Sequence, residues 1–225
     1  MKKDKKAIVL LSGGMDSAVT LYMAKQECEC KALIFNYGQK AFKEIEFAKK
    51  LSDKAKVPFY VLDISLPWKG SSLLDETKHI PDTVSAMDGE IPSTYVPARN
   101  IIFLSFGISF AEADGADAVF IGAHQHDFSN YPDCRDSFFE SFRETVRQGT
   151  KQGTTGNPVK IKTPIISKTK NEIVRTGLKL GVPFEYTWSC YSGEEVPCGV
   201  CESCRFRIKA FESAGIRDPF WERKN

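Results

Sequence analysis

The chain has 225 residues, 42% hydrophobic and 27% charged, with 31 lysines and arginines against 29 aspartates and glutamates for a net charge of +2. That length supports one substantial core, or one domain with an appendage. The balanced charge supplies no basic field that would make nucleic acid an expected partner, and no apolar run approaches the ~18 residues of a membrane span.

The basic start leads into AIVLL (7–11). This run is too short for a secretory core and is broken by Ser12-Gly13-Gly14, so a cytoplasmic location is expected. A continuous apolar run of this kind suits a parallel strand covered on both faces. A helix follows from Asp16 to about Glu27, with Val19, Leu21, Tyr22 and Met23 facing inward. Next come a strand (ALIFNYG, 32–38), an amphipathic helix (40–55) and a strand (FYVLDI, 59–64). Residues 65–97 break the rhythm: they are rich in Pro, Gly, Ser and Asp, and they read as a lid or binding loop. The alternation resumes with an apolar helix (98–114), a strand (118–123), an amphipathic helix (136–148), a mobile loop (149–157), a strand (159–166) and helices at 169–180 and 202–214.

This order predicts an α/β fold, a doubly wound parallel five-stranded sheet over residues 1–185, with a cysteine-bearing segment (186–225) packed on the same domain. In such sheets the first strand commonly neighbours the fourth. The loops after Leu11 and Ala123 would then meet at one crevice, beyond the C-terminal strand ends where ligands bind.

The stretch VLLSGGMDS (9–17) ends a strand in glycines and hydroxyls. Gly13 and Gly14 permit positive φ and close approach of a ligand. Ser12 and Ser17 add donors, and the next helix points its free N–H groups and positive dipole end at the loop. Together these make a phosphate cradle. It is neither the Walker loop, which needs a lysine, nor the G-x-G-x-x-G fingerprint. A plain turn that starts a helix is the alternative, and the loop's place directly after the first strand argues against it.

Four of the seven cysteines, Cys190, Cys198, Cys201 and Cys204, crowd the C-terminal end. Two interlocked C-x-x-C units plus a fourth thiol suit a closed tetrahedral zinc site of structural type. An iron–sulfur cluster has the same four-cysteine requirement and stays open at this point. Cys28 and Cys30 read as ordinary residues near a helix end. Two polar stretches carry more chemistry than connectors need: STYVPARN (93–100), with Arg99 and Asn100 at a helix start, and GAHQHDFSNYPDCRD (122–136). In the second, His124 and His126 read as ordinary polar residues rather than a metal pair. Asp133 and Arg135 either pair with each other or bind a polar planar ligand.

The motif SGGMDS resembles the PP-loop of the ATP pyrophosphatase superfamily, which cleaves ATP between the α- and β-phosphates. Together with NYGQK and Glu44, PSTYVPARN, DFSNYPDCR and SCYSG…CGVCESC, it falls in the order found in the 7-cyano-7-deazaguanine synthases, and the resemblance runs from about residue 7 to residue 211. It implies a PP-loop, adenine-nucleotide-hydrolase-like Rossmann-type sheet. The implied activity is an ATP-dependent ligase that turns 7-carboxy-7-deazaguanine and ammonia into the nitrile through adenylated intermediates, for queuosine and archaeosine precursors. ATP, Mg2+ and Zn2+ are the implied cofactors, and a homodimer is the implied assembly.

Carried over by residue, the resemblance puts Ser12, Gly13, Gly14, Met15, Asp16, Ser17, Asn36, Arg99 and Asn100 on the nucleotide, with Asp16 near magnesium. It puts Gln39, Asp127, Ser129, Tyr131, Asp133, Cys134 and Arg135 on the substrate, with Asp133 accepting from the guanine-like N–H edge. Catalysis falls to Asp16, Arg99, Lys170 and Asp133. Lys170 and Glu172 match a Lys-x-Glu motif, and Cys190, Cys198, Cys201 and Cys204 match the zinc ligands. The chain departs from the family pattern at Ala41, Gln125, His126 and Asn130. A tRNA-thiolating or tRNA-amidating PP-loop enzyme is one alternative, although no added basic domain is evident. A zinc module that binds nucleic acid through Arg205, Arg207 and Lys209 is another, and those three residues read instead as a solvated helix face.

Overall fold

A computed structural model of the chain describes residues 5–80, 91–124, 131–192 and 194–222. Strand β1 (Lys6–Leu10) passes through the glycine loop into helix α1 (Met15–Glu27). Then follow β2 (Glu29–Asn36), α2 (Lys43–Ala55), β3 (Phe59–Asp63) and α3 (Arg99–Asp114). After β4 (Ala118–Ile121) come α4 (Asp136–Gly149), α5 (Lys151–Thr154) and β5 (Lys160–Lys162). The chain continues through α6 (Lys170–Leu180), α7 (Glu202–Ser213) and α8 (Pro219–Glu222).

All five strands are parallel, in the order β3-β2-β1-β4-β5. β1 is central and neighbours β4, with Leu10 opposite Leu33 on one side and Ile121 on the other. This is the doubly wound arrangement expected from the alternation, and it places the strand-order reversal between β1 and β4.

Side chains alternate across the pleat, so β1 feeds two cores. Ala7, Val9 and Leu11 join Ala18, Leu21, Leu51, Ile173 and Phe211 on one face, while Ile8 and Leu10 join Phe35, Leu104, Phe139 and Ile161 on the other. Each such Leu, Ile or Phe contributes about 1.5–3 kcal/mol of transfer free energy. α1 is buried nearly all round at its N-terminal half, from Met15 and Ser17 to Leu21. That burial explains its lack of a clean amphipathic stripe.

Several boundaries move. The segment 149–157 is not a mobile loop: α4 runs to Gly149, and Thr150 caps α5 by accepting from the Gly153 N–H at 3.0 Å. β5 covers only Lys160–Lys162, because a turn closes behind it (Ile166 N–H to Thr163 O, 3.1 Å) and Pro164 has no N–H to donate. β2 starts at Glu29, earlier than expected, so Cys28 and Cys30 are buried in the core. Nor is Arg207 on a solvated face. It is 5% exposed, forms a two-point ion pair with Asp218 (2.6 and 2.8 Å), and donates to the carbonyls of Thr187 and Phe184. The alternate spacing 205, 207, 209 spreads three cations around a helix, so one of them must face inward.

α6 opens with a capping box. The Glu172 N–H donates to Thr169 Oγ1 at 3.3 Å, and the Thr169 N–H donates to Glu172 Oε2 at 2.8 Å. Thr169→Ala is expected to cost about 1 kcal/mol, read as a lower urea midpoint at unchanged slope.

Candidate active site

Beyond the C-terminal ends of β1, β2 and β4 lies a cavity of about 270 Å³. The glycine loop forms its floor. Gly13 has φ +86°, and a Cβ there would lie 2.2 Å from the Glu44 carbonyl oxygen and 2.9 Å from the Ala48 nitrogen. Only glycine lets the loop press against the first turn of α2. Inside the loop, the Ser12 hydroxyl donates to Ser17 Oγ (3.1 Å), the Gly14 N–H donates to Ser12 Oγ (3.3 Å), and the Ser17 hydroxyl donates to the Gly14 carbonyl (3.0 Å). Gly122 follows β4, and a Cβ there would sit 3.0 Å from Asp16 and Ser17 backbone atoms. β4 and the N-terminus of α1 therefore meet in direct backbone contact.

That contact brings three titratable groups together from distant parts of the chain. Asp16 Oδ2 lies 2.8 Å from Lys170 Nζ and 3.4 Å from His124 Nε2. Burial pushes the Asp16 carboxyl upward, but the charges of Lys170 and His124 outweigh it and hold the group well below the ordinary carboxylate range. Its second oxygen, Oδ1, is buried and has no hydrogen-bond partner among the described residues. An ionised oxygen left in this way is expected where a cation or a ligand donor completes the shell. Asp16 therefore fits the magnesium and phosphate end of a nucleotide.

On the opposite wall, Ala98 adopts φ +57°, a conformation that costs a residue with a Cβ about 1–3 kcal/mol. It turns the chain so that α3 begins with Arg99 and Asn100 in the cavity. Arg99 Nη1 donates to Tyr37 Oη at 3.2 Å. Burial works against its charge, but Tyr37 and Tyr131 more than offset that and raise its pKa, so it stays a cation. Tyr131 shares a 2.7 Å hydrogen bond with Thr94, and burial pushes its phenol up to about 12.

Ser12, Gly14, Met15, Asp16 and Ser17 line the cavity, as do Arg99, Asn100 and Lys170. Of the residues expected on the substrate, Gln39, Tyr131 and Cys134 line it as well. Gln39 is folded onto its own turn, accepting from the Tyr37 N–H and donating to the Phe35 carbonyl. Asp133 does not line the cavity. Its carboxylate accepts from the Asn100 N–H at 3.0 Å and its carbonyl accepts from Asn100 Nδ2 at 3.0 Å, so it braces the first turn of α3. Arg135 is exposed at the start of α4, and Asn36 donates to Asp63 at the end of β2; neither lines the cavity. Asp127 and Ser129 lie outside the described residues, with Gln125, His126 and Asn130, as does 81–90 of the expected lid.

The sequence reads His124 as an ordinary polar residue and gives no role to Glu202 or Tyr191, yet all three lie on the cavity wall. For His124 a signal did exist: it stands three residues past a strand that neighbours β1, where a doubly wound sheet places its ligand. Glu202 and Tyr191 arrive with the C-terminal segment and carry no comparable mark.

That segment holds the four cysteines. The Sγ atoms of Cys190, Cys198, Cys201 and Cys204 lie within 4.8 Å of one another. The N–H groups of Cys198 and Cys201 donate to the sulfurs of Cys190 and Cys198, both at 3.3 Å. Four converging thiols with backbone donors suit a single metal ion. The cluster reaches the cavity through Trp188, whose N–H donates to the Gly13 carbonyl (2.9 Å) and whose indole N–H donates to the Cys190 carbonyl (2.8 Å).

Comparison with known proteins gives the chain a family. The family model described as "Queuosine biosynthesis protein QueC" matches residues 6–215. A protein of Nostoc punctiforme named 7-cyano-7-deazaguanine synthase is 48% identical over 219 residues, covering 95% of this chain and 98% of its own. One of the same name from Clostridium kluyveri is 45% identical, covering 96% of each. Among solved structures, the U34-tRNA thiolase NcsA of Methanococcus maripaludis aligns at TM-score 0.48 and 16% identity, over 99% of this chain and 68% of its own. A likeness of that size carries no inference about ligands. With a family match spanning its sheet, its cavity and its cysteine cluster, the chain belongs to the QueC family of queuosine biosynthesis proteins.

Proposed function

We infer that this chain is a 7-cyano-7-deazaguanine synthase, an ATP-dependent ligase that converts 7-carboxy-7-deazaguanine and ammonia to 7-cyano-7-deazaguanine. The observation that carries this reading is the buried, unpartnered Asp16 Oδ1 at the switch point of the sheet, flanked by Lys170 and facing Arg99 across one cavity. The relatives that bear this name share 45–48% of their residues with the chain.

In this reading Ser12, Gly14 and Ser17 hold the pyrophosphate end of ATP by N–H and hydroxyl donors, and Lys170 neutralises it. Asp16 would hold a magnesium ion, which when bound would supply charge stabilisation to the phosphates. Arg99 and Asn100 orient the α-phosphate. The substrate carboxylate attacks the α-phosphorus and pyrophosphate leaves; ammonia then displaces AMP, giving the amide. In a second round the amide oxygen attacks a new α-phosphorus, and loss of AMP and two protons from nitrogen leaves the nitrile. Each round turns a poor oxygen leaving group into AMP, in a site that must exclude water.

Tyr131, Cys134 and Gln39 form the substrate wall, and Asp133 acts through Asn100 rather than on the ring. Zinc is the metal read at Cys190, Cys198, Cys201 and Cys204. A tetrahedral ion with Zn–S bonds of about 2.3 Å separates its sulfurs by about 3.8 Å. The observed clustering supports that geometry, whereas an iron–sulfur cubane holds its four thiolates wider apart. The same reading takes ammonia as the nitrogen donor and a homodimer as the assembly, with exposed Ile101 and Phe106 on α3 among the side chains a second copy would cover. It also places the protein in the cytoplasm; no helix among the described residues is long and apolar enough to cross a membrane.

Purified protein incubated with ATP, magnesium, ammonium and 7-carboxy-7-deazaguanine is expected to yield the nitrile and two AMP per turnover by mass spectrometry. AMP without nitrile would keep ATP activation and overturn the substrate.

A further inference from the structure

Two carboxylates on the cavity wall have no part in the reaction as written: Glu44 in the first turn of α2 and Glu202 at the start of α7. Glu44 is the exceptional one. Its carboxylate makes no hydrogen bond or ion pair among the described residues, although it lines the cavity. The charged and titratable groups around it are Arg99 from α3, Tyr37 from the end of β2 and Tyr191 from the C-terminal segment. Arg99 donates through Nη1 to Tyr37. Burial pushes the Glu44 carboxyl up to about 7, with Arg99 only partly countering it. A half-buried carboxylate on a cavity wall, with no protein donor among the described residues, is open to a donor from a ligand.

Its position says which part of the ligand. The Glu44 main chain is pinned against Gly13 of the phosphate loop, where even a Cβ would not fit. The acid therefore stands at the activated end of the substrate. The N–H edge of a deazaguanine lies across the bicyclic ring from its carboxyl group and is directed away from that end. What must arrive beside the activated carboxyl is nitrogen, which at neutral pH exists in water mainly as ammonium.

We propose that Glu44 is the ammonium site of this enzyme: its carboxylate binds the ammonium ion beside the phosphate loop and removes one proton from it. This rests on the ligase reading above. The balance is plain. Ammonium gives a proton to Glu44, and the freed lone pair forms the C–N bond to the adenylated carbon. The C–O bond to AMP breaks with its electron pair going to the phosphate oxygen, and the surplus proton on the new C–N nitrogen leaves to solvent. A base with a pKa near the working pH is the efficient one for this transfer.

The test compares Glu44→Gln with wild type, using ammonium or hydroxylamine as nucleophile; hydroxylamine is already unprotonated at neutral pH. The variant is expected to lose about 10²-fold or more in kcat/KM for ammonium. It should keep substrate-dependent ATP–pyrophosphate exchange and hydroxamate formation near wild-type rates. For wild type, kcat/KM for total ammonium should rise to about pH 7 and level off, whereas the variant should keep rising with free ammonia.

Unfolding does not explain such a loss. A carboxyl raised in the folded state favours folding below its unfolded pKa and loses that advantage as pH rises through about 7, so at pH 8 the glutamine variant should melt no lower than wild type. Equal loss with both nucleophiles, or an unaltered ammonium dependence, overturns the proposal alone. A raised KM for 7-carboxy-7-deazaguanine with normal ammonium dependence also overturns it, and reassigns Glu44 to the ring. Wild type that forms no product with either nucleophile, and shows no exchange, overturns the ligase reading and the proposal together.

Discussion

Asp16→Ala is expected to abolish AMP formation, with a loss on the order of 10³-fold or more, the scale seen when a preorganised electrostatic group is removed from a reaction centre. Two effects combine. The unpartnered Oδ1 disappears, and with it the anchor for a cation on the phosphates. Lys170 also loses its 2.8 Å ion pair with this carboxylate at the loop. Because Asp16 is held ionised below its ordinary range, it contributes stability above its unfolded pKa, and that contribution is lost as pH falls. The alanine variant should therefore melt somewhat lower than wild type at neutral pH and differ less in acid. Circular dichroism should still show the full α/β spectrum, since the side chain belongs to neither hydrophobic core. Asp16→Asn tests the charge alone, with the shape kept. Undiminished AMP production by either variant would move ATP activation to another part of the protein.

Cys204→Ser should have the largest effect on the fold. A four-thiolate site that loses one ligand loses much of the metal's contribution to folding, which reaches about 10–16 kcal/mol in small zinc peptides. This chain has cores of its own, so a smaller penalty of about 3–5 kcal/mol is expected. For a chain of this length that corresponds to a fall in Tm of about 10 °C. The loss should not stay local. Trp188 ties the cysteine segment to the Gly13 carbonyl, and it packs against Phe47 at a tilt and against Phe220 edge-to-face in the small core around Cys190, Cys201 and Cys204. Metal content by mass spectrometry should fall with Tm in Cys204→Ser and stay unchanged in Cys134→Ser, whose thiol lies apart and accepts from Asn100. A variant without metal and with full thermal stability would show that the cluster does not brace the fold.

The elements most legible in the sequence are those with local causes. AIVLL is buried on both faces and reads as such at the level of single residues. The glycine loop shows itself by its serines and its place after that strand. The cysteine spacing needs no knowledge of the fold. Boundaries were less legible where tertiary contacts override local pattern: β4 stops at Ile121 because Gly122 must touch α1, and Thr150 converts an expected loop into α5.

Chain order and local chemistry by themselves determined the alternating α/β architecture, the glycine loop after β1 and which four cysteines could hold a metal, because each depends on residues near one another in sequence. Only the tertiary structure decided the membership of the site. Crossing from β1 to β4 places His124 beside Asp16, 108 positions earlier, and the capped start of α6 delivers Lys170 to the same carboxylate. It also took Asp133 out of the cavity to brace α3, and it put Glu44 there because Gly13 has no side chain to keep α2 away. Those assignments follow from which backbones can approach, a property of the packed molecule that no single stretch of sequence carries.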